Sequence, residues 1–237
     1  MSLFTIADLH LSHTSNKPMD VFGPAWENHV ERLRDNWQSK VSPDDTVVIP
    51  GDISWGMRRD DARADLAFIE SLNGRKIIGK GNHDYWWATM KKMYEFRDEI
   101  GALSIDFLFN NAFYAEGFII CGSRGWFPED NYGPDDEKIV NREAERIRAS
   151  LKKGFELQNE HPEAEVLLFL HYPPAYGDVR CDRICEVIKE SGVKRVFYGH
   201  LHGAQKSRIV WQVSGADTVL VAADWLKFDP LKIEKRY

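Results

Sequence analysis

The chain has 237 residues and a formal net charge of −6 at pH 7, and 43% of its residues are hydrophobic. These values are typical of a globular protein with a sizeable core, so they exclude a disordered chain. Because nucleic-acid binding depends on clustered basic residues, the acidic balance disfavours nucleic acid as a partner without excluding it. The cysteines are few and odd in number, which favours buried structural thiols over a disulfide framework: Cys121, Cys181 and Cys185.

Targeting and membrane signals are absent from the sequence. The chain enters a strand-like run at once, without a charged region followed by a long apolar one, and it has no long apolar run of membrane-spanning length. We therefore expect no signal peptide, no membrane partner and a cytoplasmic location. No linker, repeat or low-complexity tract interrupts the chain, which predicts a single domain over residues 1–237. The oligomeric state is left open.

The first half of the chain alternates short apolar runs with amphipathic stretches. The runs predict strands over 3–7, 46–50 and 76–78, and the 3.6-residue spacing predicts helices over 24–40, 60–72 and a third stretch from Trp86 to Ile100. Strands that alternate with helices through short connections indicate parallel βαβ units.

The second half is more varied. Short strands, some of them antiparallel, are predicted over 107–108, 112–115 and 118–121, followed by an irregular segment over 124–136 and a long helix that begins near Pro134. The α/β alternation then returns with a strand over 165–170, a helix over 178–191 and a strand over 194–198. The tail, over 209–213, 218–222 and 231–233, is predicted to be a β-meander.

Polar side chains follow five of the predicted strands at the point where each strand ends: Asp8 and His10; Asp52; Asn82, His83 and Asp84; His171; His200 and His202. The carboxyl ends of parallel strands meet at one edge of a sheet, so these groups can converge. Carboxylates, imidazoles and an amide oxygen suit manganese, iron or zinc rather than copper(I) or a thiolate-bound zinc. They exceed what one ion needs, which favours a pair of ions bridged by a carboxylate. Taken singly, each residue is more often a turn, cap or core residue.

The order of these motifs resembles the calcineurin-like metallophosphoesterase superfamily. The resemblance runs from Asp8 to His202 through Asp-x-His, Gly-Asp, Gly-Asn-His-Asp, a single histidine and Gly-His-x-His. It implies an α/β fold, a four-layer αββα sandwich in which two mixed sheets lie between helices. It also implies a metal-dependent phosphoric ester hydrolase in which a hydroxide that bridges two metal ions attacks the phosphate. Manganese is the first expectation for the metal, and iron, zinc, nickel and cobalt are alternatives.

The resemblance also assigns roles to individual residues. Asp8, His10, Asp52 and His202 would bind one metal, and the second would be bound by Asp52, Asn82, His171 and His200, with Asp52 as the bridge. His83 would be the general acid for the leaving oxygen. Asp84 would hold the ring of His83 by accepting a hydrogen bond.

Two departures from the family pattern reduce the range of activities that we expect. Ile53-Ser54-Trp55-Gly56 follows Asp52, and the third motif ends in Asp84 where Ser/Thr protein phosphatases have glutamate, so protein phosphatase activity is not expected. His171 lacks the preceding glycine that is common in relatives, which makes it the least secure ligand.

The substrate is less well defined by the sequence. Trp55 and Trp86 flank the motifs and could stack on a nucleobase, although core packing is the favoured explanation for each, and Arg124 could clamp a phosphate. We expect a small phosphodiester or nucleotide-like substrate. A phosphomonoesterase of small metabolites, or a metal-bound interaction scaffold without catalysis, are the alternatives.

Overall fold

Two β-sheets packed face to face form the centre of the protein. A computed structural model describes residues 1–128 and 133–236. The strands in these ranges are β1 (Leu3–Thr5), β2 (Thr46–Pro50), β3 (Arg75–Gly79), β4 (Ile105–Leu108), β5 (Ala112–Ala115), β6 (Phe118–Ser123), β7 (Glu165–Leu170), β8 (Ala175–Tyr176), β9 (Val179–Arg180), β10 (Arg195–Tyr198), β11 (Gln212–Val213), β12 (Ala216–Leu220) and β13 (Leu231–Ile233). The α-helices are α1 (His29–Lys40), α2 (Arg59–Ser71), α3 (Met90–Glu99), α4 (Pro134–Gln158) and α5 (Asp182–Ser191).

Both large sheets are mixed, as the resemblance implied. The first sheet has the strand order β13-β1-β2-β3-β4, with parallel pairing from β1 to β4 and an antiparallel β13 at its edge. The second has the order β11-β12-β10-β7-β6-β5, parallel from β6 to β12 and antiparallel at both edges. β8 and β9 form a separate small hairpin. The carboxyl ends of the central strands therefore lie at one edge of each sheet.

Three apolar layers hold the sandwich together. Alternate strand residues point to opposite faces of a sheet, so Val47 and Ile49 of β2 pack against the outer helices while Val48 packs between the sheets. α1, α2 and α3 cover the outer face of the first sheet, and α4 and α5 cover the outer face of the second. The layer between the sheets contains residues of both, among them Leu167 and Phe197. This arrangement confirms the predicted αββα sandwich.

Several predicted elements differ from those observed. The helix predicted from residue 24 begins at His29, because Asn28 adopts a left-handed conformation with φ of 49°, and Pro24–Trp26 forms a separate 3-10 turn. Trp86 precedes α3 rather than lying in it. The segment after residue 178 first pairs in the β8–β9 hairpin and becomes helical at Asp182.

The predicted C-terminal meander is wrong. β12 pairs in parallel with β10 in the second sheet, whereas β13 crosses to the first sheet and pairs with β1. Local turn signals do not specify which sheet a strand joins, because sheet pairing depends on distant contacts. Residues 129–132 of the predicted irregular segment lie outside the described residues.

The three cysteines are buried free thiols, as the sequence predicted. Cys121, Cys181 and Cys185 are unpaired and buried, as expected for structural thiols, and burial raises their thiol pKa values. Of the helices in the described part of the chain, none is long and apolar enough to cross a membrane.

Candidate metal centre

The predicted ligands come from strands of both sheets. Asp8, His10, Asp52 and Asn82 follow β1, β2 and β3 of the first sheet, whereas His171, His200 and His202 follow β7 and β10 of the second. The sheets meet at this edge through Ala7, whose backbone bonds to Val221 and Ala223 at 2.7 and 2.9 Å. The sequence pattern predicted convergence at a sheet edge, and the structure forms it at the edge that the two sheets share.

Sharp backbone turns aim these side chains at one point. Four of the residues have positive φ angles: Asp8 (59°), His10 (46°), Asp52 (53°) and His200 (69°). Non-glycine residues rarely adopt this left-handed conformation, and it concentrates at functional sites where the surrounding structure enforces it. After β1, β2 and β10 a predicted ligand thus occupies the strained backbone position itself, whereas Asn82 and His171 do not.

The first group of side chains surrounds His10. Its Nε2 lies 2.9 Å from Nε2 of His202 and 3.7 Å from Oδ2 of Asp52. Asp8, His10 and His202 each offer a ligand atom within 4.8 Å of the others. These are the four residues that the resemblance assigned to one metal, and the structure brings them together.

The second group surrounds the amide of Asn82. Its Oδ1 lies 2.6 Å from Nε2 of His171 and 3.0 Å from Nδ1 of His200. Oδ2 of Asp52 is 3.5 Å from His171 Nε2, so this carboxylate borders both groups, as a bridging ligand would. Asp8 also forms a compact group with Asp52 and His171, and it therefore lies nearer the second set than the resemblance implied.

The charges at this centre suit bound cations. Asp8 and Asp52 are buried, which raises the pKa of Asp8 well above its usual value and that of Asp52 to about 6. No lysine or arginine in the described ranges forms an ion pair with either carboxylate, whereas His10 lies 3.7 Å from Asp52 and His171 lies 3.6 Å from Asp8 and 3.5 Å from Asp52. Burial lowers the pKa of His171 to about 3, so its ring is uncharged at neutral pH and its two nitrogens cannot both be protonated there. Buried carboxylates among neutral imidazoles are fitted to hold divalent metals.

Asp224 is a part of this site that the sequence reasoning missed. Its Oδ1 lies 3.1 Å from Nδ1 of His202, and its Oδ2 accepts a hydrogen bond from the backbone N–H of Gly203 at 2.8 Å. Burial alone would lower the pKa of His202, but the bond to Asp224 and the charges of Asp8 and Asp52 raise it. A carboxylate that holds the outer nitrogen of a ligating histidine orients the ring. The sequence pattern could have predicted Asp224, because it follows the apolar strand β12 as Asp8 follows β1.

The predicted partnership of His83 and Asp84 is wrong in its geometry. The Asp84 carboxylate accepts bonds from the backbone N–H groups of Gly81, Asp52 and Ile53 at 2.7, 2.9 and 2.9 Å, and from the indole of Trp86 at 3.0 Å. The ring of His83 instead packs against Trp55 at 4.4 Å, and its Nδ1 is buried without a hydrogen-bond partner. Asp84 therefore fixes the loops that carry Asp52 and Asn82 rather than the ring of His83.

The three residues proposed to contact substrate occupy different environments. Trp55 stacks on His10 with ring centroids 4.9 Å apart, so it borders the centre. Trp86 is only 2% exposed and supports Asp84, which does not fit the predicted contact with substrate. Arg124 NH2 lies 3.8 Å from the buried Glu143, and its guanidinium lies over Trp126. Its backbone oxygen accepts the N–H of His171 at 3.0 Å, so Arg124 lies beside the second group.

The close approach of β2 and β3 depends on Gly81. A Cβ added at Gly81 would lie 2.0 Å from Oδ1 of Asp52, whereas one at Gly79 would meet nothing nearer than 3.5 Å. We expect Gly81→Ala to displace Asp52, to lower the free energy of unfolding by about 1–3 kcal/mol as overpacking does, and to reduce metal binding. Gly79→Ala is the matched control. Titration with manganese and thermal melting of both variants check this, and equal behaviour of the two would contradict it.

A family comparison agrees with this geometry. The family model described as calcineurin-like phosphoesterase matches residues 1–204. The chain belongs to this family, whose members are metal-dependent enzymes that hydrolyse phosphoric esters. The resemblance based on the motifs is thereby confirmed, and the roles of the individual site residues stay predictions.

Individual relatives match over shorter stretches. The "Gene 66 protein" of Mycobacterium phage L5 is 38% identical over 78 residues, which is 33% of this chain and 37% of that protein. The "[Acyl-carrier-protein] phosphodiesterase PptH" of Mycobacterium tuberculosis is 29% identical over 109 residues, which is 46% of this chain and 27% of that protein. The chain thus spans about a third of the length of these curated relatives. The crystal structure of phosphopantetheinyl hydrolase (PptH) from M. tuberculosis has a TM-score of 0.54 at 18% identity and covers 99% of this chain and 96% of that chain, a likeness of fold.

Proposed function

We propose that this protein is a two-metal phosphodiesterase that hydrolyses small phosphodiesters or nucleotide-like esters. The observation that carries the proposal is the position of Asp52, whose Oδ2 lies 3.7 Å from Nε2 of His10 in one ligand group and 3.5 Å from Nε2 of His171 in the other. A carboxylate that borders two sets of ligand groups is the arrangement that a pair of cations requires. Asp8, His10, Asp52 and His202 hold one ion, and Asp52, Asn82, His171 and His200 hold the other.

When bound, such ions neutralise the phosphate and make a water nucleophilic near neutral pH. Manganese is our first choice, because the set combines carboxylates, imidazoles and an amide oxygen without a thiolate. Asn82 contributes a ligand oxygen without adding charge. Asp224 keeps the ring of His202 in one orientation, and Asp84 keeps the loops after β2 and β3 in register.

His83 supplies the proton in this proposal. Its ring is not hydrogen-bonded to any predicted ligand, and its backbone N–H is fixed by Oδ1 of Asp52 at 2.8 Å. Burial lowers the pKa of His83 and the charge of Asp52 opposes that shift. An anionic phosphate bound beside the ring adds a second negative charge, which favours the protonated imidazole. The ring then donates its proton to the leaving oxygen as the P–O bond breaks.

The proposed preference for diesters over monoesters rests on the similarity to PptH of M. tuberculosis. PptH is described as a phosphodiesterase, and its aligned segment covers 46% of this chain. That similarity supports a diester over a monoester, and Arg124 beside the second ligand group is the candidate to bind the anionic phosphate oxygens. Nucleic acid is not favoured as a substrate, because the net charge of −6 opposes long anionic polymers.

The proposal is tested with purified protein stripped of metal and reloaded separately with manganese, zinc, iron, nickel or cobalt. We expect bis(p-nitrophenyl) phosphate to be hydrolysed with higher kcat/KM than p-nitrophenyl phosphate, and most rapidly with manganese. Faster hydrolysis of the monoester would assign the protein as a phosphomonoesterase. Absence of turnover in protein shown by elemental analysis to hold two ions would favour a metal-bound scaffold instead.

A further inference from the structure

A cavity of about 430 Å³ opens beside the first ligand group. Its polar lining comes from His10, His83, His202 and Asp224, and its apolar lining comes from Met19, Phe22, Ala25, Trp26 and Trp55. The volume lies within the range of about 300–1,000 Å³ that small-molecule sites occupy. We call this cavity the Trp26–Trp55 pocket.

The two tryptophans form a rigid floor. Trp26 and Trp55 are 3% and 8% exposed, so neither ring can swing freely. Trp55 stacks on His10 and lies 4.4 Å from the ring of His83. Trp26 meets the ring of His202 edge-on at 5.3 Å. Both indoles are thus held in contact with histidines of the candidate metal centre or next to it, so a group on this floor lies beside His10, His83 and His202.

Phe22 forms the rim of the pocket. It ends the 3-10 turn Met19–Phe22, which Gly23 closes with a φ of 122°. The phenylalanine is 68% exposed, although it borders an apolar cavity that could bury it. Its neighbour Val21 is 71% exposed and does not line the pocket. An exposed aromatic side chain at the mouth of an apolar cavity is typical of a ligand site.

The charge of the lining does not favour an anionic occupant. The residues that line the pocket include no lysine or arginine, and their one carboxylate, Asp224, is bonded to His202 and Gly203. One cation borders the region from outside, since the ammonium of Lys17 lies 4.3 Å from the centroid of the Trp55 ring. Aromatic and thioether surfaces without a counter-charge suit an uncharged aromatic or apolar group.

We infer that the Trp26–Trp55 pocket binds an uncharged aromatic or apolar leaving group of the substrate, and that Phe22 is a specificity-determining residue for it. The inference rests on the proposed phosphodiesterase function. His83 lines the same cavity, so the ester oxygen nearest its ring belongs to the group in the pocket. As water attacks phosphorus, the bond to that oxygen breaks, and the proton of His83 passes to it to release a neutral alcohol or phenol.

The test uses non-hydrolysable phosphonates, titrated by calorimetry into protein loaded with manganese. Phenylphosphonate places a ring in the pocket, methylphosphonate leaves it empty, and phosphonoacetate places a carboxylate there. We expect wild-type protein to bind phenylphosphonate at least tenfold more tightly than methylphosphonate and more tightly than phosphonoacetate. Equal affinities, or tightest binding of phosphonoacetate through Lys17, would overturn the inference.

Two pocket variants and a matched control test whether the tighter binding of phenylphosphonate depends on the Trp26–Trp55 pocket. Phe22→Ala is expected to weaken phenylphosphonate binding at least fivefold without changing methylphosphonate binding, whereas Val21→Ala changes neither. Ala25→Leu, which fills part of the cavity from its exposed edge, is expected to weaken phenylphosphonate selectively. A loss of equal size in Val21→Ala, or no loss in Phe22→Ala and Ala25→Leu, would contradict the role of the pocket.

Failure of this inference is distinguishable from failure of the proposed function. If metal-loaded protein hydrolyses bis(p-nitrophenyl) phosphate but shows no preference for phenylphosphonate, the phosphodiesterase stands and the pocket assignment falls. If no ester is hydrolysed, both proposals fall, because the leaving-group role requires turnover.

Discussion

Asp52→Asn is expected to reduce the metal content from two ions per chain to one or fewer and to lower kcat/KM by about 10³-fold or more. The substitution keeps the shape of the side chain and removes the charge that borders both ligand groups, through Oδ2 contacts to His10 and His171 of 3.7 and 3.5 Å. Loss of several kcal/mol of transition-state stabilisation by the metals corresponds to about a thousandfold in rate. Elemental analysis and steady-state kinetics measure the two effects.

Asp65→Asn is the matched control for this substitution. Asp65 is as deeply buried as Asp52 but accepts a hydrogen bond from the backbone N–H of His13 at 2.9 Å, outside the predicted ligand set. We expect its variant to keep two ions even if it melts at a lower temperature. Full metal occupancy in Asp52→Asn would contradict the bridging role, and loss of metal in both variants would point to a general effect of removing a buried charge.

His83→Ala is expected to keep both metals and to lose about 10²–10⁴-fold in kcat, which is the usual contribution of a general acid. The ring packs against Trp55 and the ring of His10, with centroids 4.4 and 5.6 Å apart, and makes no hydrogen bond to a predicted ligand, so we expect its removal to leave the ligand groups intact. The loss should be smaller for bis(p-nitrophenyl) phosphate than for diphenyl phosphate, because p-nitrophenolate leaves more readily without a proton.

This dependence on the leaving group separates proton donation from mere positioning. His161→Ala, which removes a histidine that stacks on Tyr114 at 3.6 Å, serves as the control and should match wild-type protein with both esters. An equal loss with the two leaving groups in His83→Ala would rule out the acid role, and loss of metal in that variant would place His83 among the ligands.

The sequence was informative where chemistry follows an apolar run. Asp8, Asp52, His171 and His200 stand shortly after buried strands. One such residue alone is more often a turn or cap residue, so it was the recurrence of these endings, in the order of a known family, that pointed to a site. The parallel pairing that brings these ends together follows from short helical connections between strands. The parallel α/β units and the edge where the polar residues gather were therefore predictable from the sequence pattern, whereas the four-layer sandwich followed from the family resemblance.

What could not be predicted depends on contacts between distant residues. Asp84 was expected to serve the adjacent ring of His83, yet it accepts the backbone N–H groups of Gly81, Asp52 and Ile53, since these loops fold around the carboxylate. The Trp26–Trp55 pocket joins residues from the loop after β1 to a loop after β2, and no local pattern relates them. The pairing of β13 with β1 in the first sheet could likewise not be predicted from the turn residues that precede it.

The predicted ligands lie on both sides of the boundary between the two sheets, and this position links metal occupancy to folding. The backbone N–H of His200 reaches Oδ2 of Asp8 at 2.9 Å across 192 residues of sequence, so a cation at this edge would cross-link the first strand to the last part of the second sheet. A ligand that binds only the native state stabilises it by about 2.7 kcal/mol at a hundred times its Kd. Residues that would hold the ions for the proposed reaction would thus also join the two sheets, and chelation is expected to lower the stability of the fold as well as the activity.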